Sequence, residues 1–270
     1  MLPDTWFQVR LVAPLTWAID DNGSSIIYLL VGSERALLLD TGWGVGELPA
    51  LVSSITSLPL TVVNTHGHPD HTFGNGRFPL VHIHPGDAPM VEQPPALETR
   101  RWIASDILGP GLPVGFDIET WAASVPELHV LHDSQSFDLG GRTLQVIALP
   151  GHSSGSICLL DRATNLLFTG DSVLAGTIWL HLDESLPLQT FLEHLRQVQM
   201  QKDAFDGLLP SHGDLSRLPL PTTTLDDLVA GIQRILQNEI AGSEEHTFAG
   251  DGLRCDFETC GIVYRADRMH

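Results

Sequence analysis

The chain has 270 residues and a formal net charge of −19, because 33 acidic residues face only 14 lysines and arginines. Proteins bind nucleic acids with clustered basic side chains, so this composition, with Lys202 as its one lysine, argues against a nucleic-acid partner. No run approaches the roughly 18 apolar residues of a membrane helix, and no basic start leads into an apolar core. We therefore expect a soluble, cytoplasmic protein without a membrane partner.

The apolar runs and their periodicity predict an α/β protein with these runs as strands: 7–12, 25–31, 35–40, 60–64, 79–83, 127–131, 143–149, 155–160, 165–169, 205–209 and 253–264. Apolar side chains at three- and four-residue spacing predict the clearest helices at 46–56, 187–200 and 223–240. Cys158, Cys255 and Cys260 form no C-x-x-C pair and no even-numbered framework. They indicate core packing and a reduced compartment.

Three histidines and an aspartate lie within six positions as His66, His68, Asp70 and His71. Imidazole nitrogens and carboxylate oxygens are the ligands that suit zinc and its first-row neighbours. The cluster follows the predicted strand at 60–64, so it lies on a loop at the end of a strand, where sheet-based enzymes carry their chemistry. His66 and His68 point the same way from an extended backbone, whereas Asp70 and His71 turn toward a second point. The spacing therefore predicts two metal ions.

Further along the chain, isolated ligand types recur at the ends of apolar runs and beside glycine. His152, Asp171 and His212 are the three examples. Glycine lets the backbone turn sharply and approach an ion closely, which a residue with a β-carbon resists. Each of these positions alone is a weak signal, since strand-end polar residues are often caps. Together with the first cluster they predict one site built from four loops.

These motifs resemble those of the metallo-β-lactamase superfamily, and most closely its glyoxalase II-like branch. The matching motifs, in chain order, are HxHxDH at 66–71, GHSSGS at 151–156, FTGDS at 168–172 and SHGD at 211–214. The resemblance implies that the first metal is held by His66, His68 and His152, the second by Asp70, His71 and His212, with Asp171 as the bridge. It also implies that Asp40 orients a ligand histidine, a contact that fixes the imidazole tautomer.

The family's fold is a four-layer αβ/βα sandwich, in which two mixed β-sheets are flanked by helices. Because the motifs run from residue 40 to residue 214 and must meet, we expect residues 1–270 to form a single domain. The segment 92–124 lies between matched motifs and is predicted to be an insertion or lid. We expect an apolar substrate pocket lined by Trp17, Trp102, Phe116, Trp121, Trp179 and His181.

The resemblance implies a binuclear metal-dependent hydrolase, with zinc as the expected metal and iron or manganese as alternatives. On this resemblance, the two ions would supply a hydroxide as nucleophile, and Asp70 would hold it and help to move a proton to the leaving group. We expect the substrate to be a small ester, thioester or lactone. The segment 174–181 lacks the tyrosine and basic residues with which glyoxalase II-like enzymes hold glutathione, which argues against a strict glutathione thioesterase.

Other interpretations stay open at this point. A mononuclear iron protein similar to persulfide dioxygenases, or another non-hydrolytic metalloprotein, uses the same scaffold, and β-lactam hydrolysis is a further alternative. The complete set of ligand positions favours hydrolysis, because the dioxygenase branch uses only part of that set. The exact substrate, the native metal and a homodimer remain undecided by the sequence.

Overall fold

Three β-sheets are present in the computed structural model, which describes residues 6–270. The first sheet has seven strands in sequential order: β1 (Phe7–Ala13), β2 (Thr16–Asp21), β3 (Ser25–Val31), β4 (Ala36–Leu39), β5 (Leu60–Val63), β6 (Leu80–Ile83) and β7 (Glu127–Val130). Strands β1 to β4 pair antiparallel, whereas β4 to β7 pair parallel. The parallel strands therefore end at the same edge, and that edge carries the candidate site.

The second sheet faces the first and has the order β13-β11-β10-β9-β8. Its strands are β8 (Ser136–Asp138), β9 (Thr143–Ala148), β10 (Ile157–Asp161), β11 (Leu166–Gly170) and β13 (Gly207–Pro210). A smaller third sheet has the order β12-β16-β15-β14, formed by β12 (Thr177–Leu180), β14 (Ser243–Thr247), β15 (Gly250–Asp256) and β16 (Gly261–Tyr264). This sheet lies beside the candidate site and was not foreseen as a separate unit.

The helices are α1 (Leu48–Ile55), α2 (Pro69–Thr72), α3 (Ala88–Val91), α4 (Leu97–Trp102), α5 (Leu188–Gln199) and α6 (Thr223–Leu236). The apolar stripe of α5 is buried, and α5 packs along α6, as the periodicity predicts. Helix α6 ends before the predicted residue 240, because Asn238 adopts a left-handed conformation with φ 57°. None of the helices within residues 6–270 combines the length and apolar character that crossing a membrane requires.

Both faces of the first sheet are buried at its central strands β3 and β4, which fixes the layer order. Tyr28 and Leu39 point into the core shared with the second sheet and the helices α5 and α6, whereas Leu29 and Leu38 pack toward α1. Successive side chains of one strand therefore serve two different layers. The predicted α/β sandwich of this family is confirmed, and the third sheet adds to it.

The predicted strand at 253–264 is wrong as a single element. The chain reverses between β15 and β16 at residues 257–260, where the amide of Phe257 donates to the carbonyl of Cys260 at 2.7 Å. Thr259 in this turn is held by Asp227 of α6, which accepts hydrogen bonds from its amide and hydroxyl. Because both arms of this hairpin carry apolar side chains, the sequence predicts one strand where the structure has two.

Candidate metal centre

Four loops at the ends of strands bring the predicted ligands together. The predicted ligands form three overlapping groups, and within each group the ligand atoms lie within 4.8 Å of one another. These groups are His66 with His68 and His152, His66 with His71 and Asp171, and Asp70 with His71 and His212. The loops that carry them follow β5, β9, β11 and β13. Every residue predicted as a ligand from the sequence thus belongs to one cluster.

The first group consists of three imidazoles around one point. His68 Nδ1 lies 3.0 Å from His66 Nε2 and 2.9 Å from His152 Nε2. Burial, together with the nearby His68, lowers the pKa of His152 to about 4, and burial also lowers the pKa of His66 well below its usual value. The inner nitrogens of the three rings converge on one point, an arrangement that a cation stabilises.

The second group mixes imidazoles with carboxylates. His212 Nε2 lies 3.2 Å from Asp70 Oδ2 and 3.0 Å from Asp171 Oδ2. Burial alone would lower the pKa of His212, but Asp171 and Asp70 outweigh it and raise that pKa to about 10. Burial alone would raise the pKa of Asp171, but His212 and His71 hold it well below its ordinary value. The carboxylates of Asp70 and Asp171 therefore favour a positively charged group in this half of the centre.

Asp171 lies between the two groups. Its Oδ2 is 3.7 Å from His152 Nε2 in the first group, while its Oδ1 is 3.5 Å from His71 Nε2 in the second. Within the described chain, Asp171 Oδ1 and His71 Nε2 are buried without a hydrogen-bond partner. Buried polar atoms are costly unless satisfied, and a carboxylate beside an imidazole is a donor set that fits a divalent cation. The residues therefore fit the metal pair that the motifs imply.

Each of the five histidines presents one nitrogen to the cluster and anchors the other. The acceptors of the outer nitrogens are Thr65 Oγ1 for His66 (3.0 Å), Glu184 Oε1 for His68 (2.6 Å), Asp40 Oδ2 for His71 (3.0 Å), the Trp179 carbonyl for His152 (2.7 Å) and the Ser24 carbonyl for His212 (2.7 Å). Such contacts fix the ring tautomer and leave the inner nitrogen free to ligate. His68 uses Nδ1 inward, and the other four use Nε2.

Asp40 ties the ligand loops after β5 and β13 together. Its carboxylate accepts hydrogen bonds from the Thr65 amide (2.7 Å) and hydroxyl (2.8 Å), from the Ser211 hydroxyl (3.3 Å) and from His71. Asp40 has a left-handed backbone with φ 66°, which costs a residue with a side chain about 1–2 kcal/mol. The dense hydrogen bonding holds the residue in that conformation.

A cavity of about 550 Å³ opens beside the centre. His68, Asp70, His152, Asp171 and His212 line one end of it. The remaining wall is mostly apolar and includes Trp43, Trp102, Ile103, Ile107, Leu174, Ile178, Trp179, Leu182 and Phe248. Small-molecule sites characteristically combine apolar walls with a few convergent polar groups.

A family model described as the metallo-beta-lactamase superfamily matches residues 20–214, which include every predicted ligand. The chain belongs to this superfamily. The bovine acyl-coenzyme A thioesterase MBLAC2 is 31% identical over 222 residues, which cover 77% of this chain and 77% of that protein, and the human MBLAC2 matches equally well. An atrochrysone carboxyl ACP thioesterase of Aspergillus fumigatus is 27% identical over 195 residues, covering 70% of this chain and 38% of that protein.

Solved structures agree on the fold. The metallo-beta-lactamase from Pontibacter korlensis superposes with a TM-score of 0.58 at 18% identity, covering 84% of this chain and 99% of that one. The DIM-1 metallo-beta-lactamase gives a TM-score of 0.61 at 13% identity, covering 86% and 99%. At this identity the likeness shows the fold alone. With the thioesterase relatives, membership of the superfamily places the chain among the hydrolases.

The pocket predicted for this superfamily member needs correction. Trp102 and Trp179 line the cavity as expected. Trp17 instead packs in the cluster between the first sheet and α1, because it lies in β2 and points away from the loop edge. Phe116 and Trp121 stand behind the wall, where Trp121 Nε1 donates to the Trp43 carbonyl at 2.6 Å. The segment 92–124 therefore reaches the cavity through α4 and the turn after it.

His181 also lies behind the cavity wall. It is buried beneath Trp179, with ring centroids 5.4 Å apart, and its Nε2 lies 2.9 Å from Thr247 Oγ1. His181 follows Leu180, the last residue of β12, so its ring faces the third sheet rather than the substrate. Its position is structural, and it anchors the hairpin that carries Phe248.

Two further residues of the centre were missed by sequence reasoning. Glu184, which binds His68, lies in a stretch without a strand or helix and has no local signal. Asp87 is fully buried and accepts from the Gly67 amide (2.8 Å), the Ser153 hydroxyl (2.6 Å) and the Gly155 amide (2.6 Å). Asp87 thereby ties two ligand loops together. It follows a strand and a glycine, the same signal that identified the other loops.

Proposed function

We propose that this chain hydrolyses acyl thioesters at a centre of two divalent metal ions, with zinc as the expected metal. The observation that carries the proposal is the pair of ligand groups joined by Asp171 at the end of an apolar cavity. The choice of thioester is supported by the thioesterase relatives, one of which covers 77% of this chain. The acyl group lies along the apolar wall, and its carbonyl carbon lies beside the ligand cluster.

The proposed ligands of the first ion are His66, His68 and His152, those of the second are Asp70, His71 and His212, and Asp171 is shared. When bound, two such ions supply a nucleophile from water near neutral pH and a Lewis acid for the thioester carbonyl. Imidazole and carboxylate donors also accept iron and manganese, so the metal is identified by analysis rather than by ligand type.

Hydrolysis of a thioester depends only weakly on a protein group that protonates the leaving atom. The carbon–sulfur bond breaks, the oxygen of water forms the new bond to carbon, and sulfur leaves with the electron pair. Thiols have a pKa of about 8.5, so the thiolate is a competent leaving group near neutral pH. Asp70 faces the cavity beside His212 and is the group that we assign to accept the proton of water and deliver it to sulfur.

Leaving-group chemistry ranks the alternatives. Opening a β-lactam expels a nitrogen, which is a poorer leaving group than a thiolate, and no lysine or tyrosine among the described cavity-lining residues adds to Asp70 as a proton donor. The two tyrosines are engaged elsewhere: the Tyr28 hydroxyl donates to the Pro210 carbonyl at 2.6 Å, and the Tyr264 hydroxyl accepts from the Gly242 amide at 3.2 Å. Neither is available to assist the opening of a lactone. Thioesters are therefore preferred over both.

The test is a substrate screen with the zinc-loaded protein. Acyl thioesters, aryl esters, lactones and β-lactams are compared by kcat/KM, and metal content is measured on the same sample. We expect about two zinc ions per chain and the highest kcat/KM for a thioester. Turnover of a lactone or β-lactam well above every thioester would refute the proposal.

The competing hypothesis is a mononuclear iron oxygenase on the same scaffold. It predicts one iron per chain and consumption of dioxygen with a persulfide substrate, measured with an oxygen electrode. The thioesterase relatives favour hydrolysis. Iron-dependent oxygen uptake by the purified protein, without thioester turnover, would establish the alternative.

A further inference from the structure

An aromatic cluster lines the cavity and is built from three separate parts of the chain. Phe248 lies between β14 and β15, with its ring centroid 5.0 Å from that of Trp179 and 6.1 Å from that of Trp102. Trp179 belongs to β12 and Trp102 to α4. Phe248 is 63% exposed and Trp102 is 43% exposed, while both also line the cavity. Two large aromatic rings are thus kept partly in water at the mouth of the site.

The hairpin that carries Phe248 is held in place. Thr247 pairs with Gly250, which leaves Phe248 and Ala249 as the turn. The Thr247 hydroxyl donates to the Gly250 carbonyl at 2.8 Å and accepts from the Ala249 amide at 3.1 Å. His181 Nε2 contacts the same hydroxyl at 2.9 Å, which joins the turn to the end of β12. The ring of Phe248 is therefore positioned over the cavity by its hydrogen-bonded turn.

The charges around the cavity limit what part of a thioester it can recognise. None of the described lining residues is a lysine or an arginine, and the charged lining groups are Asp70, Asp171 and Glu184 with the ligand histidines. A carrier with phosphate groups needs cationic partners, and the chain as a whole carries a net charge of −19. The apolar wall, by contrast, matches an alkyl chain.

We propose that Phe248, Trp102 and Trp179 form a clamp for the acyl group, so that this enzyme selects thioesters by acyl chain rather than by thiol carrier. This inference rests on the proposed function and names the substrate class for it. The clamp includes the hairpin 243–256, which lies outside the residues 20–214 that match the family. Phe248 thus lies outside the matched region, whereas Trp102 and Trp179 lie within it.

The test uses acetyl, hexanoyl and decanoyl thioesters of the neutral thiol N-acetylcysteamine, with matched coenzyme A thioesters. We expect kcat/KM to rise about fourfold per methylene along the neutral series until the cavity is filled. Phe248→Ala should lower kcat/KM for the decanoyl substrate about tenfold or more and affect the acetyl substrate much less. Phe248→Leu should restore part of the loss. The matched control, Met200→Ala, removes an exposed apolar side chain that does not line the cavity.

Carrier recognition gives the opposite result. If the coenzyme A thioesters exceed their neutral counterparts in kcat/KM by about tenfold, and added salt weakens their binding, the carrier is recognised and the inference is wrong. Equal losses for acetyl and decanoyl substrates in Phe248→Ala would also overturn it. A fall in activity for all substrates with a lower Tm would show a structural role for Phe248 and refute the clamp.

A binding assay separates this inference from the proposed function. Tryptophan fluorescence follows the binding of non-hydrolysable thioethers with short and long alkyl chains. Chain-dependent binding that Phe248→Ala weakens, without turnover of any thioester, would support the clamp while refuting the thioesterase proposal. Thioester turnover with no chain dependence in binding or kinetics would refute the clamp and leave the proposed function intact.

Discussion

Glu184 is expected to hold His68 in its ligating orientation, and its replacement should weaken the metal centre. The two side chains meet through Glu184 Oε1 and His68 Nε2 at 2.6 Å, and the hydrogen bond with His68 lowers the pKa of Glu184. Glu184→Ala removes this acceptor. Glu184→Gln keeps an acceptor oxygen of similar reach but removes the charge, so its effect should be smaller.

The expected size follows from the contact and its exposure. A hydrogen bond to a charged group contributes about 1.5–3 kcal/mol. The Glu184 side chain is 32% exposed, so water replaces part of the lost bond and about 1–2 kcal/mol is a better expectation. This corresponds to a factor of about 5–30 in the affinity for zinc at the first site. Losses of about 10- to 100-fold are typical for such outer partners of ligand histidines.

The assay is zinc affinity by competition with a chromophoric chelator, together with kcat and KM at saturating and limiting zinc. We expect affinity to fall in the order wild type, Glu184→Gln, Glu184→Ala, and added zinc to restore most of the turnover. Asp183→Asn is the control, because Asp183 is an exposed neighbouring carboxylate that pairs with Arg265 at 3.1 Å. Zinc affinity of Glu184→Ala equal to wild type, with a raised KM, would show that Glu184 contacts substrate instead.

Three further predictions concern the ligands, a buried carboxylate and the loop anchor. Asp171→Asn and His68→Ala should each remove most turnover and lower zinc content while the fold persists, and full turnover with two tightly held metals in Asp171→Asn would refute the bridging role. Burial raises the pKa of Asp21 to about 6 from 3.8, so its contribution to stability is complete below pH 3.8 and is lost as the pH rises through 6. Urea unfolding should therefore show the stability of Asp21→Asn, relative to wild type, rising by about 2 kcal/mol between about pH 4 and about pH 7, and a constant difference would contradict this. Asp87→Ala should lower the unfolding free energy by about 3 kcal/mol, since it leaves the buried amides of Gly67 and Gly155 unpaired and removes one partner of the Ser153 hydroxyl, and a Tm equal to wild type would show that water replaces the carboxylate.

Much of the fold and of the ligand set was determined by local sequence. Strands β3, β10 and β11 are buried on both faces, so their sequences are continuous apolar runs that end at glycine or polar residues. Helices α5 and α6 bury one stripe, which leaves a clear period. The ligand loops combine such a strand with glycine and a metal-binding side chain, so the signal lies within a few residues.

The sequence did not predict the short or polar strands, and it did not show which surface a buried aromatic ring covers. Strands β2, β8, β12 and β14 were missed, because they are short or alternate with polar residues and have no strong apolar run. The aromatic content of Trp17, Phe116 and Trp121 predicts burial, but burial alone does not say which surface a ring covers. His181 was assigned to the pocket from its position after the bridging loop, and the direction of its ring was decided by the third sheet.

The composition, strand pattern and ligand motifs thus determined the class of fold, the family and the cluster of side chains that we propose to hold metal. Tertiary structure alone decided which distant residues complete the metal centre and its cavity. Glu184 reaches His68 across 116 positions, and Phe248 meets Trp102 only because the hairpin folds back over the cavity. The physical reason is the sequence distance over which each signal acts. Apolar periodicity, turn residues and ligand spacing act within a few residues. The hydrogen-bond partner of a ligand nitrogen and the outer wall of a cavity depend instead on how whole elements pack.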